Sequence, residues 1–341
     1  MKKTLFAALA LVAMASCSNE EVLEMAQKEA IGFDNAFVNN STRSTIDPSY
    51  TEDNMFVDFG VYGFVEGSTL FNNVRVSEGI TNADLKKTTW KYEGTQYWIA
   101  GAKYNFAAIA PQTNAIWTPS SAAKDAITMS VTNTGVQDVL FAKTAEIEGL
   151  ASGNPAVAFT FKHILSKVKF SFENAYNASN ASIKVKGIKI TNAHQTCTVT
   201  LNDNITWGTP TGTLELDFGN ATTDGATSAD AVAYKYNETK ESYKELFLIP
   251  GAVTDGYNVT FTVELYIGEG VNPVKTYNHT AIVDFTPAAG NSYDILAVIN
   301  AENIDPNNTQ EPIEFTVNTL PGWGDTNNVK GDDVTIENNK N

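Results

Sequence analysis

Cys17 is the residue of this chain best placed to do chemistry. It ends an apolar run and is followed at once by Ser18, Asn19, Glu20 and Glu21. Lys2 and Lys3 form a positive start, and residues 4–16 (TLFAALALVAMAS) form the apolar stretch. That stretch is too short to span a bilayer, which takes about 20 residues. It reads as a secretory signal. Ala15 and Ser16 are the small residues that a lipoprotein signal peptidase needs just before a cysteine, and Met14 stands where leucine is usual. The expected cut falls between Ser16 and Cys17. The Cys17 thiol would carry a diglyceride, and the freed amine a further acyl chain. Several chains on one residue anchor stably where a single chain is marginal. The other reading is a plain secretory leader with a cysteine near its cut.

No other residues have spacing that predicts catalysis. His163, His194 and His279 are far apart in sequence. There is no HExxH, no paired-cysteine knuckle and no Gly-x-Ser-x-Gly elbow. His163, in FTFKHILSKVKFSF, reads as a hydrogen-bonded histidine at a core edge. Cys197, in TCTVTL, has no partner if Cys17 is acylated, and reads as a small core residue. The acidic pairs Glu20-Glu21 and Asp332-Asp333 read as solvated charge. DPNNTQE (305–311) and DTNNVKGDD (325–333) are rich in oxygen ligands but lack the spacing of a calcium loop. Trp323, in PGWGD, reads as a packing aromatic at a strand end. The expectation is a protein that is not an enzyme and uses no cofactor or metal.

Bulk composition narrows the partners. The formal charge of the 341 residues is −16. Without Lys2 and Lys3, 21 basic residues face 39 acidic ones, a charge near −18. Such a chain repels phosphate backbones, so no nucleic acid is expected as a partner. A hydrophobic fraction of 43% is enough to build cores.

The elements that must carry these residues read as strands. NVTFTVELYIG (258–268) puts Val259, Phe261, Val263, Leu265 and Ile267 on one face and polar residues on the other. SKVKFSFEN (166–174) does the same with Val168, Phe170 and Phe172, and TGTLELDFGN (211–220) with Leu214, Leu216 and Phe218. In SIKVKGIKITNA (182–193) the apolar phase shifts at Gly187, which predicts a β-bulge. MFVDFGVYGFV (55–65) is apolar on both sides and fits a strand buried between layers. EPIEFTVNTLPGWGD (311–325) reads as a late strand with Ile313, Phe315 and Val317 inward, ended by Pro321-Gly322. SSAAKDAI (120–127) has the composition for one or two helical turns. The pattern predicts an all-β chain of antiparallel β-sandwich class, two sandwiches in series, dividing near residues 160–170 after EGLASGNPA (148–156).

Several segments together resemble the fimbrillin-like family, the lipoprotein precursors of type V pili. They are SCSNEE around Cys17, IGFDNAFV (31–38) followed by STRST (41–45), AFTFKHILSKVKFSF (158–172), ELFLIPGAV (245–253), AAGNSYDI (288–295) and PIEFTVNTLPGWGD (312–325). The acidic residues after Cys17 also resemble the surface-export signal of lipoproteins from fimbriated gut and oral anaerobes; as plain chemistry they are a solvated tether.

The resemblance implies two tandem transthyretin-like sandwich domains. With it, the chain divides into a signal peptide (1–16), a lipidated tether and removable first strand (17–43), and domains over 44–165 and 166–341. It also implies a route: export as an outer-membrane lipoprotein, removal of the first strand by an Arg-specific protease, and refilling of the exposed groove by a strand of a neighbouring subunit, usually C-terminal. The matching cut lies between Arg43 and Ser44, among small polar residues suited to an exposed site. Ile31, Phe33 and Val38 are the candidate pocket fillers. Implied partners are other fimbrial subunits, the outer membrane through the lipid, and host or bacterial surface receptors. Members that serve as anchors keep their lipid and are not cut. A surface lipoprotein that captures glycans without polymerising is the alternative, and it requires an exposed aromatic platform.

Overall fold

The computed structural model describes residues 29–38, 58–82, 87–223, 228–307 and 311–320, with no account of the side chains at 35–38, 78–82 and 87–89. Ser16, Cys17, Arg43, Ser44, Trp323 and both acidic pairs lie outside these residues. All regular structure among the described residues is strand.

The strands form three sheets. The first runs β1 (Phe33–Val38), β10 (Val157–His163), β8 (Leu140–Lys143), β5 (Lys103–Ala110), β2 (Asp58–Val65), β3 (Ser68–Asn82), β4 (Lys87–Lys91), with β9 (Ile147–Glu148) also on β5. The second runs β15 (Ala221–Thr222), β17 (Thr239–Ser242), β11 (Ser166–Asn174), β21 (Ser292–Ile299), β22 (Phe315–Leu320), with β18 (Leu246–Leu248) also on β11. The third runs β20 (Lys275–Val283), β19 (Tyr257–Ile267), β12 (Ala181–Leu201), β7 (Ala126–Thr132), β6 (Trp117–Ala123). Three further strands, β13 (Ile205–Trp207), β14 (Thr211–Gly219) and β16 (Tyr234–Lys235), also pair with β12. Pairing is antiparallel except for β1 with β10 and β11 with β21.

Period-two alternation explains the layers. Val168, Phe170 and Phe172 of β11 are fully buried, as are Val259 and Val263 of β19. They meet Leu216, Phe218, Ile313, Phe315 and Val317 in a core between the second and third sheets. Ile267 departs from the expected face and is 46% exposed, while Tyr266 is buried. At this strand end the ring of Tyr266 lies under the Lys184 ammonium and its hydroxyl donates to Glu264 at 2.7 Å, so a local polar contact outweighs the alternation.

The expected bulge is present. Gly187 has φ +60, where glycine is favoured, and the β12–β19 register shifts between Lys186 and Lys189. Beyond it β12 continues, so that Thr196–Leu201 pairs with β7. One strand therefore carries the third sheet across both halves of the chain. Residues 120–127 are not helical: they lie in the β6–β7 hairpin, turning at Lys124-Asp125. Cross-strand pairing with β12 overrides the helix propensity of the alanines.

β2 and β5 are buried on both faces, which accounts for the two-sided apolarity of residues 59–65. Phe59, Val61, Phe106 and Ala108 face a core enclosed by the first sheet, while Tyr62, Phe64, Ala107 and Ile109 meet Met129, Val131, Cys197 and Val199 of the third. Cys197 is buried and free, as its sequence context predicts.

The start of β2 is pinned by Asp58, which is fully buried. Its carboxylate accepts from Arg75 Nε at 2.8 Å, from the backbone N–H groups of Gln112 (2.8 Å) and Thr113 (3.0 Å), and from the Thr113 hydroxyl. Burial pushes this carboxyl up, but the donors from Thr113, Gln112 and Arg75 together outweigh it and hold it below its ordinary value of 3.8. A depressed carboxyl stabilises fully above that ordinary value, and the contribution is lost as pH falls through the lower folded value. Asp58→Asn should cost about 1–3 kcal/mol at neutral pH. It should also flatten the loss of stability below about pH 4. Urea titrations at pH 7 and across the acid range check both.

Candidate functional site

The feature that stands apart is the seat of the first strand. β1 stands at one edge of the first sheet in pairing order, but residues 29–38 are held from two sides. On one side β1 runs parallel to β10, with Phe33 opposite Val157 and Val38 opposite Phe161, and the Val157 N–H donates to the Gly32 carbonyl at 2.8 Å. On the other side the chain runs antiparallel to residues 96–98. Ile31 N–H donates to the Gln96 carbonyl at 2.8 Å, Trp98 N–H donates to the Glu29 carbonyl at 3.0 Å, and Ala30 bridges Tyr97. The segment thus closes a gap between β10 and the stretch that follows β4.

Side chains deepen the seat. Ile31 and Phe33 are 1% and 5% exposed. Phe33 stacks on Phe159 at 5.9 Å between ring centroids and makes edge contacts with Phe71 (5.6 Å), Tyr92 (5.4 Å), Phe106 (6.2 Å) and Phe59 (6.4 Å). Such pairs add about 0.5–1.5 kcal/mol each beyond area burial. The Tyr92 hydroxyl donates to the Ile31 carbonyl at 2.7 Å and accepts from Gln96 N–H at 3.2 Å. Burial pushes that hydroxyl up despite the Gln96 bond, so it stays a donor at neutral pH. At the entrance, the Glu29 carboxylate accepts from Asn154, which sits just before β10.

Without residues 29–38, Val157 N–H, Trp98 N–H, the Gln96 carbonyl and the Tyr92 hydroxyl would lose partners, and a pocket lined by aromatic rings would open. Burying two side chains such as Ile31 and Phe33 is worth about 1.5–3 kcal/mol each. The emptied seat would therefore favour any extended segment that restores the backbone bonds and places apolar groups at alternate positions.

Sequence reasoning placed Ile31 and Phe33 here, and both are buried in the seat. Val38 lies in β1, but its side chain is outside the described residues. The opposing lip, Tyr92, Gln96 and Trp98, carried no sequence signal beyond a concentration of aromatics in YEGTQYW. Asn154 carried none.

The three histidines have separate surroundings. His163 is buried and pairs with Asp138. His194 is partly exposed, its Nε2 3.1 Å from the Ala252 carbonyl. His279 is buried and stacks on Phe261 at 5.0 Å, and burial holds its pKa below the ordinary value. Among the described residues no group of three or more His, Cys, Asp or Glu side chains could hold a metal ion. In the 305–311 loop, the Asp305 carboxylate accepts from Asn307 N–H at 3.0 Å, a local turn contact. Among the described residues the large exposed aromatics, Tyr97, Tyr236 and Tyr243, come from three different places in the sequence.

Comparison with known proteins agrees with this architecture. A fimbrial protein from Bacteroides vulgatus has a similar fold, with a TM-score of 0.60 and 17% identity, covering 87% of this chain and 100% of that one. A candidate cell adhesion protein from Bacteroides uniformis aligns with a TM-score of 0.48 and 19% identity over 87% of this chain and 98% of that one. No curated protein sequence matches. The model of the fimbrillin-like family matches residues 42–319, most of the chain from just before Arg43 into β22, and the protein belongs to that family.

Proposed function

We propose that this chain is the precursor of a structural fimbrial subunit, assembled by replacement of its first strand. In this reading Cys17 is lipidated after cleavage at Ser16–Cys17 and delivers the protein to the outer membrane. A cut between Arg43 and Ser44 then frees residues 17–43, and a strand from a neighbouring subunit takes the vacated seat. The mature chain divides into sandwich domains at 44–165 and 166–341.

One observation carries the reading. Residues 29–38 are held by strand-edge hydrogen bonds and by two apolar anchors, Ile31 and Phe33, which supports a segment that could leave after a cut and be replaced by another strand. No comparable observation among the described residues favours glycan capture, which would need an exposed platform of aromatics.

The N-terminus of the protein on the cell surface tests the reading. Subunits recovered from fimbriae should begin at Ser44, while an anchoring copy should begin at acylated Cys17. A surface protein that begins at Cys17 and is absent from every polymer would overturn it.

A further inference from the structure

We infer that Asn154 is a latch that reads a carboxylate at the entrance of the seat and fixes the register of the strand bound there. The inference rests on the strand-replacement reading for its role in assembly.

The geometry is specific. Glu29 Oε2 accepts from both the backbone N–H of Asn154 at 2.8 Å and its side-chain Nδ2 at 2.7 Å. The Asn154 side chain is itself fixed. Its Oδ1 accepts from Leu150 N–H at 2.7 Å, and its Nδ2 also donates to the Leu150 carbonyl at 3.0 Å. Gly153, at φ +74, supplies the left-handed turn that precedes it. The donors are thus oriented by the loop and do not depend on Glu29 for their position. Hydrogen bonds to an ionised oxygen are roughly twice as strong as neutral ones. The Asn154 side-chain and backbone donors, together with Gly153 N–H, outweigh burial and hold the Glu29 carboxyl below its ordinary value.

The seat needs such a reader because apolar alternation cannot define register by itself. A one-residue slip turns every side chain to the wrong face and is excluded by burial. A two-residue slip keeps the faces and merely moves the anchors along by one pocket. Glu29 precedes Ile31 by two residues and Phe33 by four, on the same alternation. A carboxylate held at Asn154 therefore sets which apolar residue enters the pocket of Phe59, Phe71, Tyr92, Phe106 and Phe159. An incoming strand must present an acidic side chain two residues ahead of its first apolar anchor.

Hydrogen exchange on the intact, uncut chain tests the latch. Glu29→Gln, Glu29→Ala and Asn154→Ala should each speed exchange of the Ile31 and Val157 amides about three- to fivefold, the range for a charge-assisted bond open to solvent. The Glu29→Ala/Asn154→Ala pair should be no faster than either single variant. Amides of β11 and β19 should not change. Glu29→Gln leaves the Asn154 loop untouched, so it separates the latch from a disturbed loop. Unchanged exchange in Glu29→Gln, or additive effects in the double variant, would overturn the inference. A second arm uses chain cut after Arg43 and offered a labelled synthetic strand of residues 29–38. The native strand should be taken up at least about threefold more than its Glu29→Gln form, and equal uptake would overturn the role in strand choice. A cut chain that never releases its first strand would contradict strand replacement, while the exchange data would still decide the latch.

Discussion

Phe33→Ala should lower the stability of the uncut chain by about 3–5 kcal/mol, the usual cost of emptying a phenylalanine site in a packed core. Five rings surround Phe33, and all five lose a partner. The loss should also weaken the hold on the first strand itself. In chain cut after Arg43, a deficit of even about 3 kcal/mol should speed departure of that strand more than a hundredfold. Phe170→Ala is the matched control. Phe170 is fully buried against Phe172, Phe218 and Phe315, so its removal should cost a similar amount. It lies in the core between the second and third sheets, away from β1, so it should leave strand departure unchanged. Denaturant titration and the rate of fragment release separate the two variants. Equal release from both, or a Phe33→Ala chain as stable as the parent, would show that the first strand is not held through its aromatic anchor.

This contrast follows from how the cores are arranged, and only part of that arrangement was legible in the residues. Alternation identified β11, β14 and β19, because a half-buried strand writes its faces directly into the sequence. Gly187 marked its bulge, because few residues other than glycine adopt that backbone. The two-sided burial of β2 was readable from its apolar character on both faces from Phe59 onward, while the buried Asp58 at its start was not. What could not be read was pairing. β1 lies parallel to a strand about 120 residues away, and nothing local encodes a parallel partner at that distance. The hairpin at 117–132 was obscured by alanines whose propensity is weak beside the pairing with β12. Ile267 followed its alternation to a strand end where Tyr266 found better contacts.

The seat was legible on one side only. Ile31 and Phe33 alternate as anchors should, and Arg43 follows them in a polar stretch. Tyr92, Gln96, Trp98 and Asn154 belong to loops, and loop residues acquire their role from the segment that folds against them. Their chemistry is ordinary in isolation: a hydroxyl, two backbone groups and an amide. It becomes a site because the first strand supplies two carbonyls, an N–H and a carboxylate at matching positions. Under the proposed strand replacement the same logic would let a second strand take the seat, since none of these groups tests chain connectivity.

The largest effect expected of any manipulation is therefore the cut itself. Removing the first strand exposes the edge of β10, the 96–98 stretch and the aromatic pocket together, and the chain should then associate through that surface. The decisive measurement treats the purified full-length protein with an Arg-specific protease and follows the N-terminal sequence and the assembly size in parallel. The account predicts a new N-terminus at Ser44, loss of residues through Arg43, and a ladder of heat-resistant polymers whose formation slows when excess synthetic strand of residues 29–38 is added. A product that begins at Ser44, lacks the first strand and stays monomeric would contradict it.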